Sequence, residues 1–141
     1  MVVVVFVLAY VAASFYTHRF SQEISTHTVW LGDKSISVEL ARTPNERERG
    51  LMDRESLPQN SGMLFVFPIA ASHTFWNQRT LIPLDLIWIH GDKVVGVSQL
   101  PRVQDRGIVE VSSPEPADLV LEVNAGWAHE NNVGAGTAFR Q

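Results

Sequence analysis

The chain has no cysteine among its 141 residues, which removes disulfide frameworks, thiolate zinc sites and cysteine nucleophiles together. Lysine is nearly as scarce, two residues against nine arginines. Eleven basic residues face fifteen acidic ones, for a formal charge of −4. That balance leaves little to neutralise phosphates, so no nucleic-acid partner is expected. The histidines, His18, His27, His73, His90 and His129, lack the i, i+4 spacing of a helical zinc site, and no metal is expected. No G-x-S-x-G elbow, phosphate loop or dinucleotide fingerprint occurs, so no cofactor is expected either. Internal repeats and low-complexity tracts are missing too, and the length suits a single domain.

Charge is also absent from one stretch, Val2 to Tyr16, in which fourteen of fifteen residues are apolar. As a helix it would span about 22 Å, short of the ~30 Å hydrocarbon core. It therefore lies between a signal-peptide core and a short membrane anchor. Either reading makes residues 2–16 a membrane-contacting segment and places the chain outside the cytoplasm, anchored or exported. Val11-Ala12-Ala13 offers small residues to a signal peptidase, no Lys or Arg precedes the run, and His18 and Arg19 follow it, which leaves cleavage and orientation open. The expected plan is a signal peptide or anchor over residues 1–17, a polar tether over 18–27 and one globular domain over 28–141.

Within that domain, Val29-Trp30-Leu31 and the alternating Ile36, Val38 and Leu40 give two strands turning at Gly32-Asp33. Thr43-Pro44-Asn45-Glu46 reads as a capping box that opens a helix running to about Met52. Met63 to Phe67 is apolar on both faces, the pattern of a strand covered on each side, and Pro68 is expected to end it. Ser72 to Trp76 suggests a short strand, and Leu84 to His90 turns through Gly91-Asp92 into Lys93 to Leu100. Pro101 to Pro116 reads as loop with one edge strand near Ile108 to Val111. Asp118 to Val123 is a strand, Asn124 a cap for a helix from Ala125 to about Asn131, and Thr137 to Arg140 a last strand. The fold class is thus mainly β, α+β by composition: a compact antiparallel β-barrel or sandwich with two short helices.

Two acidic residues, Asp85 and Glu122, interrupt apolar strand-like runs. A buried carboxylate needs hydrogen bonds or a partner, and for Asp85 the candidates are Thr80, its own turn, Arg79 and Asn124. If these converge beside Trp76 they make an apolar wall with a few polar groups, the makeup of a small-ligand pocket, with Asp85 at a cleft. Paired carboxylates also serve glycoside hydrolysis as acid and base or nucleophile, so a hydrolase using Asp85 and Glu122 stands as an alternative. Phe75, Trp76, Trp88 and Trp127 invite a sugar-stacking reading beside the plainer one of core packing. Arg42, Arg47, Arg49 and Arg54, interleaved with Glu46, Glu48 and Glu55, read as a solvated helical face carrying i, i+3 and i, i+4 pairs.

Several ordered blocks carry a resemblance. Val38-Glu39-Leu40-Ala41, Arg49-Gly50-Leu51-Met52 with Arg54 and Leu57-Pro58, and Gly62 to Phe67 are joined by Phe75-Trp76, Thr80 to Asp85 and Val120 to Trp127. Together, over about Thr28 to Phe139, they resemble the family called domain of unknown function 192. The resemblance implies a mostly antiparallel β domain, barrel or sandwich, often behind an export segment, with no established activity. The sequence departs from the family pattern at Asn77-Gln78-Arg79, where Met-Lys-Asn is usual, and Arg79 keeps the lysine's charge one position displaced. The family's cysteine-containing loop has no counterpart in Arg102 to Ser113, and Gly136 replaces an acidic residue near the final turn. The resulting expectation is an extracytoplasmic or membrane-tethered module for a small or saccharide ligand, or an envelope-accessory domain. Its candidate ligand residues are Trp76, Arg79, Thr80, Asp85, Asn124 and Trp127, with a purely structural or assembly role as the remaining alternative.

Overall fold

The computed structural model describes residues 25–141. The apolar run 2–16 and most of the expected tether lie outside the described residues. Among the described residues no helix is long and apolar enough to cross a membrane.

Alternating apolar residues form β1 (Thr26–Leu31) and β2 (Lys34–Ala41), a hairpin with Leu31 opposite Lys34. Gly32 takes φ +60° in the turn, a value that glycine adopts without Cβ strain. Helix α1 (Pro44–Arg49) follows. Thr43 Oγ1 accepts from Glu46 N–H at 3.3 Å, while Glu46 Oε2 accepts from Thr43 N–H at 2.8 Å, completing the expected capping box. The helix stops at Arg49, earlier than its periodicity suggests, because Gly50 turns to φ +47°.

Strand β3 (Ser61–Ala71) pairs parallel to β2 and antiparallel to β8 (Ala117–Asn124). Pro68 does not end it. The register with β8 shifts between Val66 and Ala71, so four residues, Phe67 to Ala70, stand opposite Asp118 alone. A bulge of this kind accommodates proline, whose missing N–H then costs no ladder bond. Gly62 permits the closest approach of the two strands: a Cβ there would stand 2.3 Å from the Glu122 carbonyl oxygen.

Strands β5 (Leu84–His90) and β6 (Lys93–Leu100) form the second hairpin at the expected positions. Two three-residue strands, β4 (Thr74–Trp76) and β7 (Glu110–Ser112), pair with each other as a separate ribbon. The stretch expected to be loop also holds a one-turn helix, α2 (Val103–Arg106). The last helix, α3 (Trp127–Glu130), begins after Gly126 at φ +90°, so Asn124 is not its cap but the final residue of β8. Three short helices therefore stand among the described residues where two were expected.

The main sheet runs β6-β5-β8-β3-β2-β1-β9, with β9 at Phe139–Arg140. It curls into a half-barrel. The two ends meet where Val94 N–H reaches Thr137 O at 2.9 Å and Gly136 N–H reaches Val94 O at 2.8 Å. One face, with Val29, Ile36, Leu64, Ile87, Ile89, Leu121 and Phe139, fills the barrel interior, plugged by Trp127 and Ala128 of α3. The other face, with Met63, Phe65, Leu84, Leu86, Trp88 and Val120, packs beneath Leu51, Leu57 and Ile82, with Phe75 and Val111 of the ribbon against it. Coverage on both sides is why Leu84 to Ile89 carries no polar alternation apart from Asp85.

Candidate functional site

The outer core supports a cleft. Phe75 stands edge-on to Phe65, at 4.9 Å between centroids, and to Trp88, at 5.5 Å, which fixes β4 over the sheet. The alternation of a strand then turns the next residue, Trp76, outward, and it remains 42% exposed. Asn77 anchors the chain that follows. Fully buried, it donates through Nδ2 to Pro101 O at 3.0 Å and Gly107 O at 2.9 Å, and accepts through Oδ1 from Val109 N–H at 2.8 Å.

Trp76, Gln78 and Arg79 form one wall of a cavity of about 450 Å³. The facing wall is Asn45, Glu48, Arg49 and Met52. Asn45, Glu48 and Arg49, spaced i, i+3 and i+4, share one face of α1, and Met52 joins them from the turn that follows Gly50. Asp53 joins the two walls. Its carboxylate receives Arg79 Nε at 2.9 Å and a second bond from Arg79 Nη2, while its own N–H donates to Arg79 O at 2.9 Å. Both residues sit at positive φ, +61° for Asp53 and +56° for Arg79, a conformation disfavoured for side chains of this type and held here by three mutual bonds.

The expected site residues do not form one group. Trp76 and Arg79 line the cleft, whereas Thr80, Asp85, Asn124 and Trp127 do not. Asp85 is not at a cleft: it is 2% exposed, and its Oδ2 accepts from Ala128 N–H at 3.0 Å. None of the candidates named for it is that partner. Arg79 is committed to Asp53. Thr80 is buried, and its hydroxyl reaches only Gln78 O, at 3.5 Å. Asn124 Nδ2 donates to Leu57 O at 2.9 Å, and Trp127 Nε1 donates to Asn60 Oδ1 at 2.9 Å. These last two tie the loop before β3 to the end of β8 and to the start of α3.

Glu122 is paired in register with Leu86 and Met63, and Asp85 with Val123. Val123 belongs to the barrel interior and Leu86 to the outer core, so the two carboxyl groups lie on opposite faces of the sheet. Their separation by the sheet removes the geometry that an acid and base pair needs across one cleft. Glu122 Oε2 is buried without a hydrogen-bond partner. Burial pushes its carboxyl up to about 8, so it holds a proton at neutral pH.

The arginine-rich stretch also distributes differently from a helical face of i, i+4 pairs. Arg54 makes a two-bond contact with Glu39 of β2, both at 2.5 Å. Arg47 bonds Arg42 O and Val66 O and covers the Phe67 ring at 5.1 Å. His73 stacks on Phe67 at 3.6 Å and bonds Ala117 O at 2.9 Å. Burial, with Arg47 nearby, lowers its pKa. Sequence reasoning missed Asn45, Glu48, Arg49, Met52, Asp53 and Gln78 as cleft residues. The helical spacing of Asn45, Glu48 and Arg49 was present, but nothing local reveals that this face of α1 looks toward Trp76. Among the described residues no cluster of His, Asp and Glu could hold a metal ion.

A curled mixed sheet roofed by a two-stranded ribbon, with a lateral cleft between ribbon and helix, defines a small α+β half-barrel domain. The chain belongs to the family called domain of unknown function 192 (Uncharacterized ACR), whose model matches residues 27–141. It is similar to a solved structure from Sinorhizobium meliloti, described as a putative transcription regulator, at 29% identity and TM-score 0.75 over 83% of this chain and 94% of that one. A protein of unknown function from Novosphingobium aromaticivorans is similar at 26% identity and TM-score 0.77, over 86% and 89%. No curated protein matches.

Proposed function

We propose that the domain is a binding module, not an enzyme, and that it seats a saccharide or similar small polar ligand in the cleft between α1 and the Trp76 to Arg79 segment. The supporting observation is Trp76, an indole left 42% exposed on the wall of a cavity otherwise lined by Met52, Asn45, Gln78 and four charged residues. An aromatic platform surrounded by planar hydrogen-bonding side chains suits a sugar ring, which offers apolar C–H faces and a rim of hydroxyls. Titration of the full chain in detergent with a panel of mono- and oligosaccharides, read by tryptophan fluorescence and thermal shift, tests this. A saturable response that Trp76→Ala abolishes is expected, and no response to any sugar would overturn it. The similar Sinorhizobium protein is described as a putative transcription regulator, but a net charge of −4 gives a nucleic-acid-binding reading of this chain no electrostatic support.

Tethering outside the cytoplasm through residues 2–16 is part of the same proposal and rests on their uncharged sequence alone. Recovery of the full chain in the membrane fraction, or exported with its N-terminus cleaved, is the expected result. A soluble cytoplasmic protein with an intact N-terminus would refute it.

A further inference from the structure

Resting on the cleft reading above, the charges around Trp76 narrow the ligand. Four charged residues line the cavity, Glu48, Arg49, Asp53 and Arg79. The last two neutralise each other. Asp53 and Arg79 share two side-chain bonds and a backbone bond, and each is held in a left-handed conformation that a different pairing would have to undo. Neither Arg49 nor Glu48 makes an ion pair within 4 Å among the described residues. They are successive residues of α1, so the cleft presents one free guanidinium beside one free carboxylate.

A neutral sugar satisfies only half of this arrangement. Its hydroxyls donate well to Glu48, but Arg49 has five N–H donors and prefers a planar anion. A ring bearing one carboxylate together with free hydroxyls satisfies both: the carboxylate on Arg49, hydroxyls on Glu48, Asn45 and Gln78, and the ring face on Trp76. We propose that the cleft is selective for acidic sugars, of the uronate type, with Arg49 as the specificity-determining residue. Arg79 serves as a positioning residue, fixing the wall through Asp53.

Binding of glucuronate and of glucose to the full chain in detergent, at low and at high salt, is the test. Glucuronate should bind about tenfold more tightly at low salt, as a charge-assisted hydrogen bond at a partly exposed site implies. That advantage should shrink as salt rises, while glucose affinity stays level. Arg49→Gln should collapse the ratio between the two sugars, and Lys34→Gln, a change of equal charge at the start of β2 and outside the cavity lining, should leave it intact. Equal binding of both sugars by the unaltered chain, or a ratio insensitive to Arg49→Gln, overturns the acidic-sugar assignment while leaving the saccharide cleft standing. Failure of both sugars to bind, or binding unaffected by Trp76→Ala, overturns the cleft reading itself.

Discussion

The barrel interior and the roofed outer face of the sheet each receive one acidic side chain from the central strand pair, and they treat it in opposite ways. Asp85, on the interior side of β5, meets the first turn of α3, where Ala128 N–H supplies a donor that the short helix does not use internally. Glu122, on the outer side of β8, meets Met63 and Leu86 in register and has an oxygen with no partner. The interior is closed by a helix terminus, which brings free backbone N–H groups. The outer face is closed by aromatic and aliphatic side chains, Phe75 and Leu57 among them, which bring none. Burial is equally deep on both sides, so the difference lies in what the covering layer has to donate.

The comparison can be broken most forcefully at Trp88, which anchors the outer core. It is fully buried, edge-on to Phe75, with Nε1 donating to Ser98 Oγ at 2.9 Å. Trp88→Ala should cost about 3–5 kcal/mol, measured as a shift in denaturation midpoint. Ile87→Val, a step away on the barrel face, should cost only about 0.5–1.5 kcal/mol. Equal losses would mean that the ribbon contributes little to the outer face.

Glu122 sharpens the contrast through pH. Its folded pKa of about 8 lies above the ordinary value of 4.5, so the folded state keeps a proton that the unfolded chain releases. Stability should therefore be greatest below about pH 4.5 as far as this group is concerned, fall as pH rises, and level off once the folded carboxyl ionises above about 8. The total loss is on the order of a few kcal/mol. Glu122→Gln should flatten that part of the profile. A wild-type melting temperature insensitive to pH across this window would show that the carboxyl finds a partner or water.

Asp85→Asn should have a smaller effect. The amide oxygen still accepts from Ala128 N–H, but the charge that favours a helix N-terminus is gone, for a loss of about 1–2 kcal/mol. The thermal shift with saccharide should persist in this variant, because Asp85 does not line the cleft. The smallest expected effect is at the cleft's outer wall. Helix α1 has no buried residue of its own, so its position depends heavily on the capping box. Thr43→Ala should cost about 1 kcal/mol, against a few tenths for Lys34→Ala at the exposed hairpin. Coincident midpoints for these two would show that the box does not hold the wall.

Local chemistry made much of this fold legible. Gly32-Asp33 and Gly91-Asp92 marked two hairpins because their flanking strands alternate or run apolar right up to the turn. Thr43-Pro44-Asn45-Glu46 marked a helix start because every participant in a capping box lies within four residues. The doubly apolar Leu84 to His90 revealed a strand covered on both faces. Pro68 misled because a proline is a strand end in isolation, and only pairing with β8 turns it into a bulge.

The sequence by itself determined that the fold is β-rich, that thiol chemistry is absent, that residues 2–16 form an uncharged apolar run, and that two acidic residues would need explaining. Those conclusions depend on residue type and on spacing shorter than a single element. Which face of the sheet each acid occupies was decided only by tertiary structure, since one step of register between β5 and β8, strands separated by the whole β6 to β7 excursion, reverses it. The cleft was decided the same way. Asn45 to Met52 and Trp76 to Arg79 lie far apart along the chain, and it is the docking of Phe75 on Trp88, together with the Asp53–Arg79 contact, that makes them two walls of one cavity.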